Sequence, residues 1–165
     1  MSTKRLCYTK MCGIIGFLGI QPSYPYIING LEMLQNRGYD SAGIATLSTS
    51  GFNITKYAST ATETSISILA NHKNSQSKDT IGIGHTRWAT HGIKNNINAH
   101  PHVSMNKLFC LVHNGIIENY DTIRADLQAT GYTFLSQTDS EVIVNLIEHI
   151  YLSQNRDVST SIKKP

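Results

Sequence analysis

Apolar and polar positions along the chain follow two rhythms, and these divide it into strands and helices. "GIIGFLGI" at 13–20 is an apolar run of strand length, and Ile27, Leu31 and Leu34 then recur at helical spacing across "YPYIINGLEML". A polar turn, "RGYDSAG", leads into a second strand, "GIATLS". "FNITKYA" at 52–58 alternates as its hairpin partner, with Ser-Thr-Ser-Gly as the connector. The pattern predicts a helix from Glu63 to His72 and strands over "TIGIGHTR" at 80–87 and "KLFCLVHN" at 107–114. Both strands end in polar residues, and strand ends are where chemistry tends to be presented. Ile123 and Leu127 mark a further helix with Asn119 as its cap. Val142, Ile143, Leu146, Ile147 and Ile150 mark a stronger one, opened by Thr138 and Glu141 at capping-box spacing. Strands flanked by helices without strict β-α-β alternation make the fold class α+β rather than a doubly wound sheet.

Composition fits one globular domain: 165 residues, 40% hydrophobic, 15% charged, with no internal repeat or low-complexity segment. No apolar run approaches the ~18–20 residues that a membrane-spanning helix requires, so no membrane partner is expected. The formal charge of +3 is concentrated at the ends, where Lys4, Arg5, Lys10, Lys163 and Lys164 lie. Without those five the body is slightly acidic, which leaves no footprint for nucleic acid. Cys7, Cys12 and Cys110 cannot make a closed disulfide set and lack CxxC spacing, which favours a reducing, cytoplasmic compartment. "MSTKRLCYTK" has no apolar core of the secretory kind. Residues 1–11 read as an N-terminal extension and 154–165 as a polar tail.

Taken singly, the polar residues divide between structural and chemical readings. Cys12 is either a small buried hydrophobe or a nucleophile. Five of seven histidines crowd into residues 85–113, but no HExxH or cysteine pairing accompanies them. A metal site therefore has little support, and His85 on an alternating strand fits a hydrogen-bonded core residue equally well. Arg87 and Asp139 are opposite charges suited to the carboxylate and ammonium of an amino acid; the alternatives are a surface ion and a first-turn helix acid. "HNG" at 113–115 is a tight turn or a pair of oxyanion donors.

The residues stop being independent when read in order: "CGIIGF" at 12–17, "NRGYDSAGIA" at 36–45, "GHTRWATHG" at 84–92, "NAHPHVS" at 98–104, "LVHNGIIENY" at 111–120 and "GYTFLSQTDSEVI" at 131–143. Over about residues 12–152 this series closely resembles the glutaminase domain of the glutamine–fructose-6-phosphate aminotransferases, or glucosamine-6-phosphate synthases. These are class II glutamine amidotransferases of the N-terminal-nucleophile hydrolase group. The resemblance implies a four-layer αββα sandwich that hydrolyses L-glutamine without cofactor or metal. Its ammonia is passed to sugar-isomerase domains that convert fructose 6-phosphate to glucosamine 6-phosphate. It matches Cys12 to the nucleophile, Asn114 and Gly115 to the oxyanion donors, and Arg87 and Asp139 to the carboxylate and ammonium grips, with Gly115 also lining the pocket. Trp88, Thr90 and His91 match the loop over bound glutamine, while Arg37 and His100 fall in matching blocks near the site.

The implied base is the α-amine of the nucleophile's own residue, with a pKa near ~7.7–8.0. A Cys12 within a peptide has only an amide nitrogen there, so Met11 is expected to be an alternative initiator or a processing boundary. Residues 12–153 are expected to form a partial glutaminase domain, truncated at its C-terminal side, with the sugar-isomerase domains absent or on another chain. The expected activity is the glutaminase step; the alternative is a degenerate, non-catalytic relative that only binds glutamine or a partner chain.

Overall fold

The computed structural model describes residues 12–35, 40–72, 74, 77–88 and 93–154. The expected N-terminal extension, 1–11, and nearly all of the polar tail, 155–165, lie outside the described residues. Strands β1 (Gly13–Leu18), β2 (Ser41–Ser48), β3 (Gly51–Ala58) and β4 (Ile81–Arg87) form an antiparallel sheet in the order β1-β4-β2-β3. The predicted hairpin is β2–β3, paired from Ser41↔Ala58 to Ser48↔Gly51.

Period-two alternation sends Ile15, Phe17, Ala42, Ile44 and Tyr57 to one face of this sheet. There they meet Tyr24, Ile27, Ile28 and Leu31 of α1 (Ser23–Leu34) and Ile66 and Leu69 of α2 (Ser65–Ala70). Ile27, Leu31 and Leu69 are fully buried, and each such side chain contributes ~1.5–3 kcal/mol of transfer free energy. The helix α2 is shorter than the predicted span from Glu63 to His72. The Thr64 side chain accepts from Ser67 N and fixes the first turn, while Glu63 N donates to Thr60 Oγ1 in the preceding loop.

The opposite face is covered by the segment 98–103 and by a small hairpin, β5 (His102–Val103) with β6 (Cys110–Leu111). The strand predicted over 107–114 thus shrinks to two residues. Lys107 takes φ 60, and Ser104 Oγ accepts from Leu108 N (3.2 Å) and Phe109 N (3.0 Å), so the chain turns where the apolar run suggested extension. Gly43 permits the close approach of this layer: a Cβ there would collide with the His100 carbonyl oxygen and lie 2.6 Å from Lys56 Cβ. From β3, Lys56 Nζ donates to the carbonyls of Ile97 (3.0 Å), Ala99 (2.8 Å) and Pro101 (3.2 Å), binding the segment to the sheet.

Helices α3 (Tyr120–Ala129) and α4 (Asp139–Ser153) form the outer layer, joined through Leu127, Tyr132, Val142, Ile123, Phe134 and Leu146. Because α4 packs on β5 and β6, the layers run helix, sheet, sheet, helix, the αββα order expected, with a thin second sheet among the described residues. Asn119 precedes α3 but makes no side-chain cap, contrary to expectation. At α4 only half of the predicted capping box forms: Thr138 Oγ1 accepts from Glu141 N at 3.3 Å. The Glu141 carboxylate instead accepts from Leu135 N (2.8 Å), Ser136 N (2.6 Å) and Ser136 Oγ (2.6 Å), bracing the turn before the helix. Among the described residues no helix is long and apolar enough to cross a membrane.

Candidate active site

The pairing of β1 with β4 sets Gly13 opposite Thr86, so the residue before β1 and the residue after β4 meet at one end of the sheet. Cys12 and Trp88 are those residues: Trp88 N donates to Cys12 Sγ at 3.2 Å, and Sγ lies 3.7 Å from Trp88 O. Gly13 N donates to Thr86 Oγ1 at 3.1 Å, which fixes the backbone next to the thiol. A Cβ on Gly13 would meet Leu34 Cβ at 2.8 Å and Thr86 Oγ1 at 2.9 Å, so a larger residue would force β1, Leu34 or Thr86 to shift beside Cys12. The thiol is half-buried and lines a cleft, rather than filling the core as the apolar reading of this cysteine required.

Arg87 ends β4 on the face turned toward the second layer and is only 5% exposed, which excludes the surface-ion reading. Burial lowers its affinity for a proton, while Cys12, Asp40 and Asp139 favour the charged form. Asp139 is both the first residue of α4 and part of the cleft, so a place in the helix and a place in the cleft coexist. Its Oδ2 accepts from Ile117 N at 2.9 Å, which holds the segment after Gly115 against α4.

Between these groups lies Asn114. Its Nδ2 donates to the Cys12 carbonyl at 3.0 Å, and its Oδ1 is 2.8 Å from His85 Nε2. His85 is buried on β4, and its ring stacks on that of His100 at 4.2 Å between centroids; His100 in turn meets His102 edge-on at 4.6 Å. Burial pushes His85 down to about 4, against the Asn114 amide and the His113 carbonyl, which favour a proton on the ring. It also lowers His100 and His102 well below the ordinary histidine range, with the charges of Lys56, Arg87 and His85 adding to the effect on both.

Cys12, Arg87, Trp88, His100, Asn114, Gly115 and Asp139 therefore line one cleft. Arg37, Thr90 and His91 lie outside the described residues. His113 and Thr138 also line the cleft; the sequence marked the first only as one of five crowded histidines and the second only as a helix cap, and it did not mark Thr86 behind the cleft. His113 Nδ1 sits 3.2 Å from Ser140 Oγ, and Thr138 Oγ1 sits 3.0 Å from His102 Nε2. His113 stood inside the quoted "HNG"; the two threonines offered no periodic signal of their own. The cleft encloses about 40 Å³, far below the ~300 Å³ of common ligand pockets. A larger cavity of about 660 Å³ lies between α3 and α4, lined mainly by aliphatic side chains such as Ile123, Leu127, Ile143 and Leu146, and no cysteine lines it. Among the described residues no group of three His, Cys, Asp or Glu side chains could hold a metal ion.

Residues 70–154 match the family model described as "Glutamine amidotransferase domain". The chain is 45% identical over 155 residues to the glutamine--fructose-6-phosphate aminotransferase [isomerizing] of Bacteroides thetaiotaomicron, covering 93% of this chain and 24% of that protein. It is 48% identical over 138 residues to the protein of the same name from Geobacillus kaustophilus, covering 84% and 22%. The chain thus spans about a quarter of the length of the curated relatives it matches. The solved glutamine phosphoribosylpyrophosphate amidotransferase from B. subtilis superposes with a TM-score of 0.72 at 27% identity, over 91% of this chain and 31% of that one. The solved allosteric regulatory enzyme of purine biosynthesis, at 24% identity, shares the fold with a TM-score of 0.73. With half of its length in the family model and its αββα layers shared with solved amidotransferases, the chain belongs to the glutamine amidotransferase domain family.

Proposed function

We propose that this chain carries the glutamine-hydrolysing step of a cytoplasmic glutamine–fructose-6-phosphate aminotransferase, with L-glutamine as substrate. The observation that carries this reading is the convergence of a thiol, a carboxamide donor, a buried guanidinium and a carboxylate on one cleft. Arg87 grips the substrate's α-carboxylate and Asp139 its α-ammonium, which selects a free amino acid over a glutaminyl side chain in a peptide. Trp88 closes the wall beside the thiol, with Thr90 and His91 assigned to the same loop and Arg37 to its surroundings.

In the reaction, the Cys12 thiolate adds to the side-chain amide carbon, and the carbonyl π electrons move onto oxygen. Asn114 Nδ2 and Gly115 N donate to that oxyanion, and one such donor is worth ~3–4 kcal/mol of transition-state stabilisation. The tetrahedral species collapses by expelling ammonia, whose extra proton comes from the base that deprotonated the thiol. Water then hydrolyses the γ-glutamyl thioester to glutamate and restores the thiol. The base in this scheme is the α-amine of Cys12, so the proposal includes exposure of Cys12 by processing or initiation at Met11. Sugar-isomerase domains, on the same polypeptide or a separate chain, are the proposed consumers of the ammonia.

The test compares the full chain with one whose first residue is Cys12, each treated with an electrophilic diazoketone analogue of glutamine and read by intact mass. The chain with the free amine should gain one adduct on Cys12, and its Cys12→Ser variant none. Absence of labelling in the chain that begins at Cys12 would sink the glutaminase reading and leave a non-catalytic relative.

A further inference from the structure

We propose that His85 is a positioning residue for amide hydrolysis: its Nε2–H donates to Asn114 Oδ1 and so fixes which end of the Asn114 carboxamide faces the nucleophile. This rests on the glutaminase reading above and deepens it.

A carboxamide presents an acceptor at one end and donors at the other, and a half-turn about its terminal bond exchanges them. At an oxyanion site the two ends have opposite consequences, since Nδ2 donates to the developing negative charge whereas Oδ1 repels it. Asn114 is exposed and lies outside the regular strands, so its local backbone gives it no rotational restraint of the kind that core packing supplies. Two contacts supply it instead. Nδ2 donates to the Cys12 carbonyl at 3.0 Å, and Oδ1 faces His85 Nε2 at 2.8 Å. The first identifies the donor end, and the second is a hydrogen bond only if Nε2 carries the proton.

The rest of the histidine's surroundings agree. Among the described residues, His85 Nδ1 has no partner in hydrogen-bond geometry, whereas Nε2 faces Asn114 Oδ1 at 2.8 Å, so the acceptor placed to hold the ring hydrogen is at Nε2; the His113 carbonyl also favours a proton on the ring but makes no hydrogen bond of that quality. Stacking on His100 fixes the ring plane, and the strand register fixes its origin. Burial keeps the ring neutral, so His85 cannot serve as a proton shuttle at neutral pH; it is a fixed dipole that aims another group.

Two measurements test this. In the full chain labelled with 15N, the ring nitrogen shifts of His85 should report a proton on Nε2; a proton on Nδ1 would overturn the proposal, and this readout needs no turnover. In the chain beginning at Cys12, the diazoketone labelling rate should be resolved into a limiting rate and a half-saturation concentration. His85→Leu should lower the limiting rate by about tenfold or more with half-saturation little changed, because only stabilisation of the developing oxyanion is lost. His85→Gln places an amide N–H near the position of Nε2 and should recover most of that rate. Equal limiting rates in wild type and His85→Leu, or no recovery by Gln in a variant that melts like wild type, would refute the positioning role. Failure of the wild-type chain to label at all is a failure of the glutaminase reading, and the ring-nitrogen measurement still decides the hydrogen bond.

Discussion

At the scale of single residues, the site is organised by backbone contacts as much as by side chains. Cys12 is held through its neighbour's N–H to Thr86, through its own carbonyl to Asn114, and through its sulfur to Trp88. Arg87 faces a carboxylate across the cleft and is shielded from water, which is the arrangement in which a guanidinium discriminates best between ligands. Arg87→Ala should therefore weaken glutamine binding by ~1.5–3 kcal/mol, the range for hydrogen bonds to charged groups. Calorimetric titration of L-glutamine into a Cys12→Ala background, with and without the second substitution, measures this without turnover, and an unchanged affinity contradicts the assigned role. Cys12, Arg87, Asn114 and Asp139 were legible in the sequence because each sits in a distinctive ordered block. The site contacts of His85 and Thr86 were not, because their partners lie 29 and 73 residues away on other segments. Only the strand register brings those pairs together.

At the scale of elements, the second layer stands close to the first because β2 carries a glycine where a side chain would collide. Gly43→Ala would place a methyl group against the His100 carbonyl and Lys56 Cβ, neither of which is the free end of a flexible side chain. The expected cost is ~1–3 kcal/mol of overpacking, seen as a lower melting temperature together with slower Cys12 labelling, since His100 lines the cleft. A Gly43→Ala chain that melts and labels like wild type would show that the segment shifts without consequence. The hydrophobic rhythm located β1, β3 and both outer helices by a regular apolar face, and β2 and β4 by short apolar runs, since those two central strands are buried on both faces. It misjudged 107–114, where the apolar residues belong to a turn set by Ser104 and Lys107, and it missed β5, whose two residues are too few to show a period.

At the scale of the whole molecule, three neutral histidines sit between the layers, and their burial links stability to pH. For His85 the proton affinity falls from the ordinary 6.5 to about 4. Between those limits the unfolded chain binds a proton that the folded chain refuses, so stability is fully present above the ordinary value and declines as pH falls through this window. His85 alone accounts for a loss of ~3 kcal/mol by the lower limit, and His100 and His102 act in the same direction. Thermal melts stepped down from about pH 7 toward about pH 4.5 should show a falling midpoint. A flat profile over that interval would contradict the neutral, buried state of these rings. The layer order was legible from the family resemblance; the histidine cluster was not, because crowding in sequence does not distinguish a metal cluster from rings packed on one another, one pair stacked and the next edge-on.

The position of β4 has a kinetic consequence. It is bonded on both sides, to β1 and to β2, and it carries Thr86 and Arg87 at its end. Its amides can exchange with solvent only when the sheet itself comes apart, whereas the 113–119 wall lies outside the regular elements and can open alone. One wall of the cleft therefore shares the lifetime of the entire fold, and the other lasts only as long as the few bonds that tie Asn114 and Ile117 to Cys12, His85 and Asp139.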